Sequence, residues 1–108
     1  MIERHGLIVD VRPERRDEYL RLHAAVWPHV EATLTVCHVT NYSIFIAGNT
    51  LIAYYEYVGD DHDADMRRIE EDTVSREWWT HTDPCQVPVP GAPAGALWFD
   101  APLVWHLD

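Results

Sequence analysis

Apolar residues recur at two different periods along the chain, and the switches between periods mark its elements. His5–Val11 (H-G-L-I-V-D-V) is short, rich in β-branched residues and closed by Arg12-Pro13, which predicts a first strand. From Glu14 the period becomes helical, with Tyr19, His23, Val26, Trp27, Val30 and Leu34 on one stripe. Pro13 suits the first turn of that helix, and Glu14 and Asp17 suit its positive end. Pro28 lies inside the run and leaves the carbonyl of Ala24 without its donor, so a kink or break is expected there.

Asn41–Ala47 and Leu51–Val58 read as two strands joined at the tight-turn pair Gly48-Asn49. Gly59–Asp65 is an acidic turn. Asp63 is the expected N-cap of a second helix reaching about Val74, with Met66, Ile69 and Thr73 facing inward. Ser75 then caps a short turn that carries Trp78 and Trp79. Pro84–Ala96 holds four Pro and two Gly and is expected as a long loop. Leu103–Leu107 supplies a last strand.

The order β-α-β-β-α-β within one domain of 108 residues predicts an α+β, ferredoxin-like fold. Its four-stranded antiparallel sheet would carry both helices on one face. Apolar groups nevertheless stand at both parities of the strands. Tyr42, Ile44 and Ile46 oppose Phe45, while Leu51, Ala53, Tyr55 and Tyr57 oppose Ile52, Tyr54 and Val58. A sheet with two apolar faces must cover both. A second copy is the simplest cover, so a homodimer through the open sheet face, of the dimeric α+β barrel type, is expected.

Charge narrows the partners. A formal net charge of −10 repels nucleic acid and anionic membrane surfaces, and suits a protein handling a neutral small molecule. The eight basic residues are all Arg, which removes lysine Schiff-base chemistry and any P-loop lysine. Cys37 and Cys85 form neither C-x-x-C nor a zinc spacing, and two free thiols fit a reducing, cytoplasmic setting. Neither a signal peptide nor an apolar run of membrane-spanning length is read from the sequence.

Five Trp and five Tyr are many for this length, and such rings suit both packing and the apolar face of a sugar. Tyr19, His23 and Trp27 stand at i, i+4 and i+8 on the first helix, so a phenol and an indole flank one imidazole. That is a pocket with one polar centre and apolar walls. Of the adjacent pair Trp78-Trp79, one ring can pack while the other faces a ligand. Asn41-Tyr42 adds a carboxamide and a further phenol at the start of the second strand. The run Asp60–Asp65 lacks the Gly and the terminal Glu of a Ca²⁺ loop and reads as a solvated helix start, so no metal is expected. Nucleotide-binding and serine-hydrolase motifs are also missing.

Y-L-R-L-H-A-A-V-W-P at Tyr19–Pro28 resembles the Y-x-x-x-H-x-x-x-W-P helix of the L-rhamnose mutarotase family. N-Y-S-I-F at Asn41–Phe45, Glu56, Trp78-Trp79 and T-D-P-C-Q at Thr82–Gln86 are similar to further segments of that family, in order. The resemblance implies a ferredoxin-like dimer, no cofactor and a small-molecule sugar as substrate. It implies His23 as the catalytic proton donor, and Tyr19, Tyr42, Trp78 and Trp79 as sugar contacts. Trp27, Asn41 and Glu56 would support them.

Mutarotation removes a proton from O1 and adds one to the ring oxygen, work for a group titrating near neutrality. Glu56, Tyr42 and water are the candidates for a second acid–base group. A small monooxygenase or cyclase on the same fold, and a sugar-binding module without turnover, are the rival readings.

Overall fold

The computed structural model describes residues 2–108. Strand β1 (Glu3–Val11) is followed by a single 3-10 turn at Pro13–Arg15, then helix α1 (Arg16–His23) and helix α2 (Pro28–Val36). The expected long helix is thus two, and the break falls where Pro28 lacks an N–H to continue the ladder. Pro28 instead opens α2 at its first position, where no donor is needed.

Strands β2 (Val39–Ala47) and β3 (Thr50–Tyr57) form the expected hairpin. Helix α3 runs His62–Glu71 and helix α4 runs Thr73–Thr82. Two capping expectations are corrected here. Asp61, not Asp63, caps α3 through Ala64 N, and Asp72, not Ser75, caps α4 by accepting from Ser75 N. Asp72 takes an extended backbone (φ −70°, ψ 119°) and so ends one helix while starting the next. The turn around Trp78-Trp79 becomes a full helix, and Thr73, expected inside, is exposed.

The sheet is antiparallel, with spatial order β2-β3-β1 and then an edge shared by β4 (Gln86–Val87) and β5 (Phe99–Ala101). Val87 pairs with Asp10 and Phe99 with Ile8, so one edge strand is interrupted by an excursion over residues 88–98. This corrects the last strand. Leu103–Leu107 carries no strand pairing, and Leu103, Val104, Trp105 and Leu107 are all exposed. Local propensity favoured a strand there, but the edge of β1 is taken by β4 and β5.

All four helices lie on one face. Val9, Val11 and Leu51 pack with Tyr19 and Cys85 in one cluster, and Val39, Tyr55 and Tyr57 pack with Cys37 and Ile69 in another. The strand members share one parity, as the pleat requires. The opposite face leaves Phe45 60% and Ile52 42% exposed.

A polar knot around the buried Asp65 ties the end of α2 and the end of β3 to α3. Asp65 accepts from the Tyr57 hydroxyl at 2.5 Å, from Arg68 at 2.8 Å and from His38 Nδ1 at 2.9 Å. His38 ends α2 in the left-handed region at φ 68°, which aims its ring at that carboxylate. The knot leaves Gly59 no room: a Cβ there would meet the Tyr57 hydroxyl and sit 2.9 Å from Asp65 Oδ2. Gly59→Ala is therefore expected to cost about 1–3 kcal/mol by overpacking. Thermal melts check this: Gly59→Ala should melt several degrees lower, and Gly6→Ala, whose Cβ would meet nothing within 4 Å, should not.

Candidate active site

Helix α1 is short and presents Tyr19 and His23, one turn apart, to the sheet. Tyr19 is 2% exposed and belongs to the cluster of Val9, Val11, Leu51 and Cys85. His23 lies over it, partly exposed, with ring centroids 4.1 Å apart and planes 24° from parallel. The imidazole Nδ1 stands 3.1 Å from the Tyr19 carbonyl oxygen. A carbonyl can only accept, so this bond puts the proton on Nδ1 and leaves Nε2 with its lone pair. Burial lowers the His23 pKa below its ordinary value, and the carbonyl offsets only part of that. At neutral pH the ring is an uncharged base.

Trp78 and Trp27 complete the walls. Trp78 is 5% exposed and meets His23 edge-on at 5.5 Å, and Trp27 meets Trp78 at 5.2 Å. Trp27 reaches this position because the chain turns between α1 and α2. Trp79 points elsewhere: it packs against the cluster of Tyr55, Tyr57 and Ile69 and makes none of these ring contacts. It also lines a broad surface depression of about 960 Å³ with Glu70, Arg76 and Asp83, which does not include His23. That depression is shallow and open, and it includes none of the His23, Tyr19, Tyr42 and Trp78 rings.

Tyr42 approaches from β2. A register shift between Thr40 and Ser43, with Asn41 left-handed at φ 50°, turns Tyr42 onto the helix-covered side, where its ring stacks on Tyr55 at 5.6 Å. The Tyr42 ring is 43% exposed, yet burial around its hydroxyl raises its pKa. Tyr19 is raised more strongly, first by burial and then by Tyr42. Tyr55 is pushed up to about 12, by burial and then by Asp100 and Tyr42. All three phenols stay protonated at neutral pH.

Asn41 and Glu56 fall on the other side of the sheet. Glu56 alternates with the inward Tyr55 and Tyr57, accepts from Asn41 Nδ2 at 3.0 Å and from the Tyr54 hydroxyl at 2.8 Å, and its pKa is lowered by those two donors in that order. The strand pleat therefore corrects the expectation that these two residues support His23. Within one chain the sheet lies between them and the imidazole.

Several groups escaped the sequence reading. His5 pairs in register with Tyr55 and stacks on it at 4.7 Å and on His62 at 4.4 Å, and His62 Nε2 meets the Tyr55 hydroxyl at 2.8 Å. Strand alternation placed His5 on the inward parity, but its partners required the register. Glu3, His5 and His62 bring possible metal-ligand atoms within 4.8 Å of one another. The two imidazole planes are only 15° from parallel, so their in-plane lone pairs do not converge on one ion. Gln86, buried beside Tyr19 at the head of β4, belongs to the T-D-P-C-Q segment, in which nothing local marks it as buried.

Comparison with known proteins places the chain in a family. A family-wide sequence profile described as L-rhamnose mutarotase matches residues 4–107. Among curated relatives, the L-rhamnose mutarotase of Oceanobacillus iheyensis is 31% identical over 77% of this chain and 79% of that protein. That of Listeria monocytogenes serotype 4b is 32% identical over the same shares. The crystal structure of an L-rhamnose mutarotase from Formosa agariphila superposes with a TM-score of 0.75, at 22% identity and over 98% of this chain and 99% of that one. A tetracenomycin F2 cyclase from Streptomyces glaucescens gives 0.67 at 12% identity over the same shares, a likeness of fold alone. With a profile spanning nearly the whole chain and relatives above 30% identity, the chain belongs to the L-rhamnose mutarotase family of isomerases.

Proposed function

We propose that the protein interconverts the α and β anomers of L-rhamnose or a closely related 6-deoxyhexose, with His23 as its acid–base group. The observation that carries this reading is the bond from His23 Nδ1–H to the Tyr19 carbonyl, which leaves one free basic nitrogen at neutral pH. O1 and the ring oxygen are both attached to C1, so one nitrogen can serve both in turn. Nε2 takes the O1 proton as the C1–O1 double bond forms and the bond from C1 to the ring oxygen breaks. The imidazolium then gives that proton to the departing ring oxygen, and closure on the other face of the carbonyl reverses both transfers. Its charge is borne in part by the Tyr19 carbonyl, which keeps accepting from Nδ1 throughout.

The phenols of Tyr19 and Tyr42, held protonated, serve as neutral donors to the sugar oxygens, and Trp78 walls the imidazole. General acid–base help of about 10²–10⁴-fold suffices, because sugars already mutarotate in water. No step calls for a cofactor. The second acid–base candidate Glu56 drops out, lying on the opposite sheet face.

The exposed Phe45 and Ile52 on that face suit a homodimer, and Glu56 is already satisfied by Asn41 and Tyr54, which lowers the cost of covering it. No helix among the described residues is long and apolar enough to cross a membrane. Cys37 and Cys85 are buried and unpaired, which suits the cytoplasm.

Two measurements test these readings. Exchange between the anomeric proton signals of L-rhamnose, followed by magnetisation-transfer NMR, should quicken with the wild type and fall at least about 100-fold for His23→Gln. Because burial lowers the His23 pKa, the wild-type rate should be flat at neutral pH and decline only as pH falls through a midpoint below 6.5. Undiminished exchange by His23→Gln would remove the mechanism. Sedimentation equilibrium should give twice the 12.5 kDa chain mass, and Phe45→Glu should shift it toward the monomer.

A further inference from the structure

We infer that Gln86 is a substrate-binding residue, its buried side-chain oxygen accepting a hydrogen bond from one hydroxyl of the sugar. The inference rests on the mutarotase reading and adds a subsite to it. Gln86 pairs with Val11 across the β1–β4 ladder, so its side chain lies on the helix-covered face with Val9 and Val11. It follows Cys85 directly and is 5% exposed, and Cys85, Val11 and Tyr19 belong to one cluster. Its Oε1 is shut off from solvent and has no hydrogen-bond partner among the described residues.

Buried amide oxygens are nearly always paired, and leaving one unmade costs more than a made bond returns. Such a group persists where something else satisfies it. Leu97 and Trp98, at the end of the 88–98 excursion, pack onto the cluster of Val9, Val11, Tyr19 and Cys85, and the Tyr19 phenol is the polar group beside the amide. The imidazole is one ring away, stacked on Tyr19 at 4.1 Å. The Gln86 amide also acts on the Tyr19 phenol, lowering a pKa that burial raises.

A lone acceptor so placed selects a neutral donor. A carboxylate or phosphate would meet repulsion there, whereas a sugar hydroxyl donates to Oε1 and keeps its own lone pairs for the phenols. Turned by 180°, the amide would leave an unpaired donor at the same place, and a hydroxyl satisfies that as well. The excursion that splits the edge strand thereby gains a function, closing the subsite with Leu97 and Trp98.

The test is Gln86→Met, which keeps the shape and removes the acceptor. Its melting temperature should equal or exceed that of the wild type, since the orphaned polar atom is gone, while KM for L-rhamnose rises about tenfold with kcat much less changed. Single-deoxy analogues of L-rhamnose supply the second arm. Wild-type KM should rise about tenfold for the analogue lacking the hydroxyl that Gln86 reads, and for that analogue the wild type and Gln86→Met should become equal. A wild-type KM in Gln86→Met, or a lowered melting temperature with activity lost only in proportion to unfolding, overturns the inference and leaves the mutarotase reading standing. If Gln86→Met fails to fold, wild-type KM values equal across the deoxy series overturn it. Wild-type protein that speeds no anomer exchange removes that reading and the subsite together.

Discussion

Because a peptide carbonyl can only accept, the 3.1 Å contact between the His23 ring and the Tyr19 carbonyl fixes where the imidazole proton resides. That in turn decides which nitrogen can meet a substrate. The contact exists because α1 is a helix at this point, with residue 23 one turn beyond residue 19. It is open to chemistry because the helix stops there. The break ahead of Pro28 lets the chain turn between α1 and α2, and Trp27, on that turn, meets Trp78 edge-on at 5.2 Å. A single helix break thus shapes both the base and its walls.

The sheet separates the charge of Glu56 from the His23 array. Around His23, on the sheet's helix-covered side, stand groups that are neutral at pH 7: its own half-buried imidazole and the phenols of Tyr19, Tyr42 and Tyr55. On its other side stands Glu56, held ionised by Asn41 and Tyr54. A carboxylate beside His23 would raise the imidazole pKa and oppose the desolvation that keeps it uncharged. Strand alternation keeps the two apart by the thickness of one pleated layer. Such a site suits a neutral sugar and a reaction that passes through little net charge.

The helical pair Tyr19 and His23, the β2–β3 hairpin and the break at Pro28 were legible in the sequence because each depends on neighbours within a few residues; Trp27, expected on the same helix, instead stands in extended backbone ahead of α2. The placement of Tyr42 was half legible. Its identity was plain, but the turn at Asn41 that swings it inward is a register irregularity between two strands. The edge strand was not legible at all. Nothing local says that Gln86–Val87 and Phe99–Ala101 continue one another across an excursion, while the more strand-like Leu103–Leu107 stays unpaired. Glu56 was misplaced for a related reason. A motif match gives residue type and spacing, and the pleat decides the face. Gln86 showed no signal in composition, because its meaning lies in a missing partner rather than in its type.

The chemistry proposed for His23 depends on the state of one ring, and long-range ¹⁵N–¹H correlation NMR of the ¹⁵N-histidine-labelled protein at pH 7 reads it directly. His23 should appear as the neutral tautomer with its proton on Nδ1 and an unprotonated Nε2. A proton on Nε2, or an imidazolium at that pH, would contradict the assignment of His23 as the base.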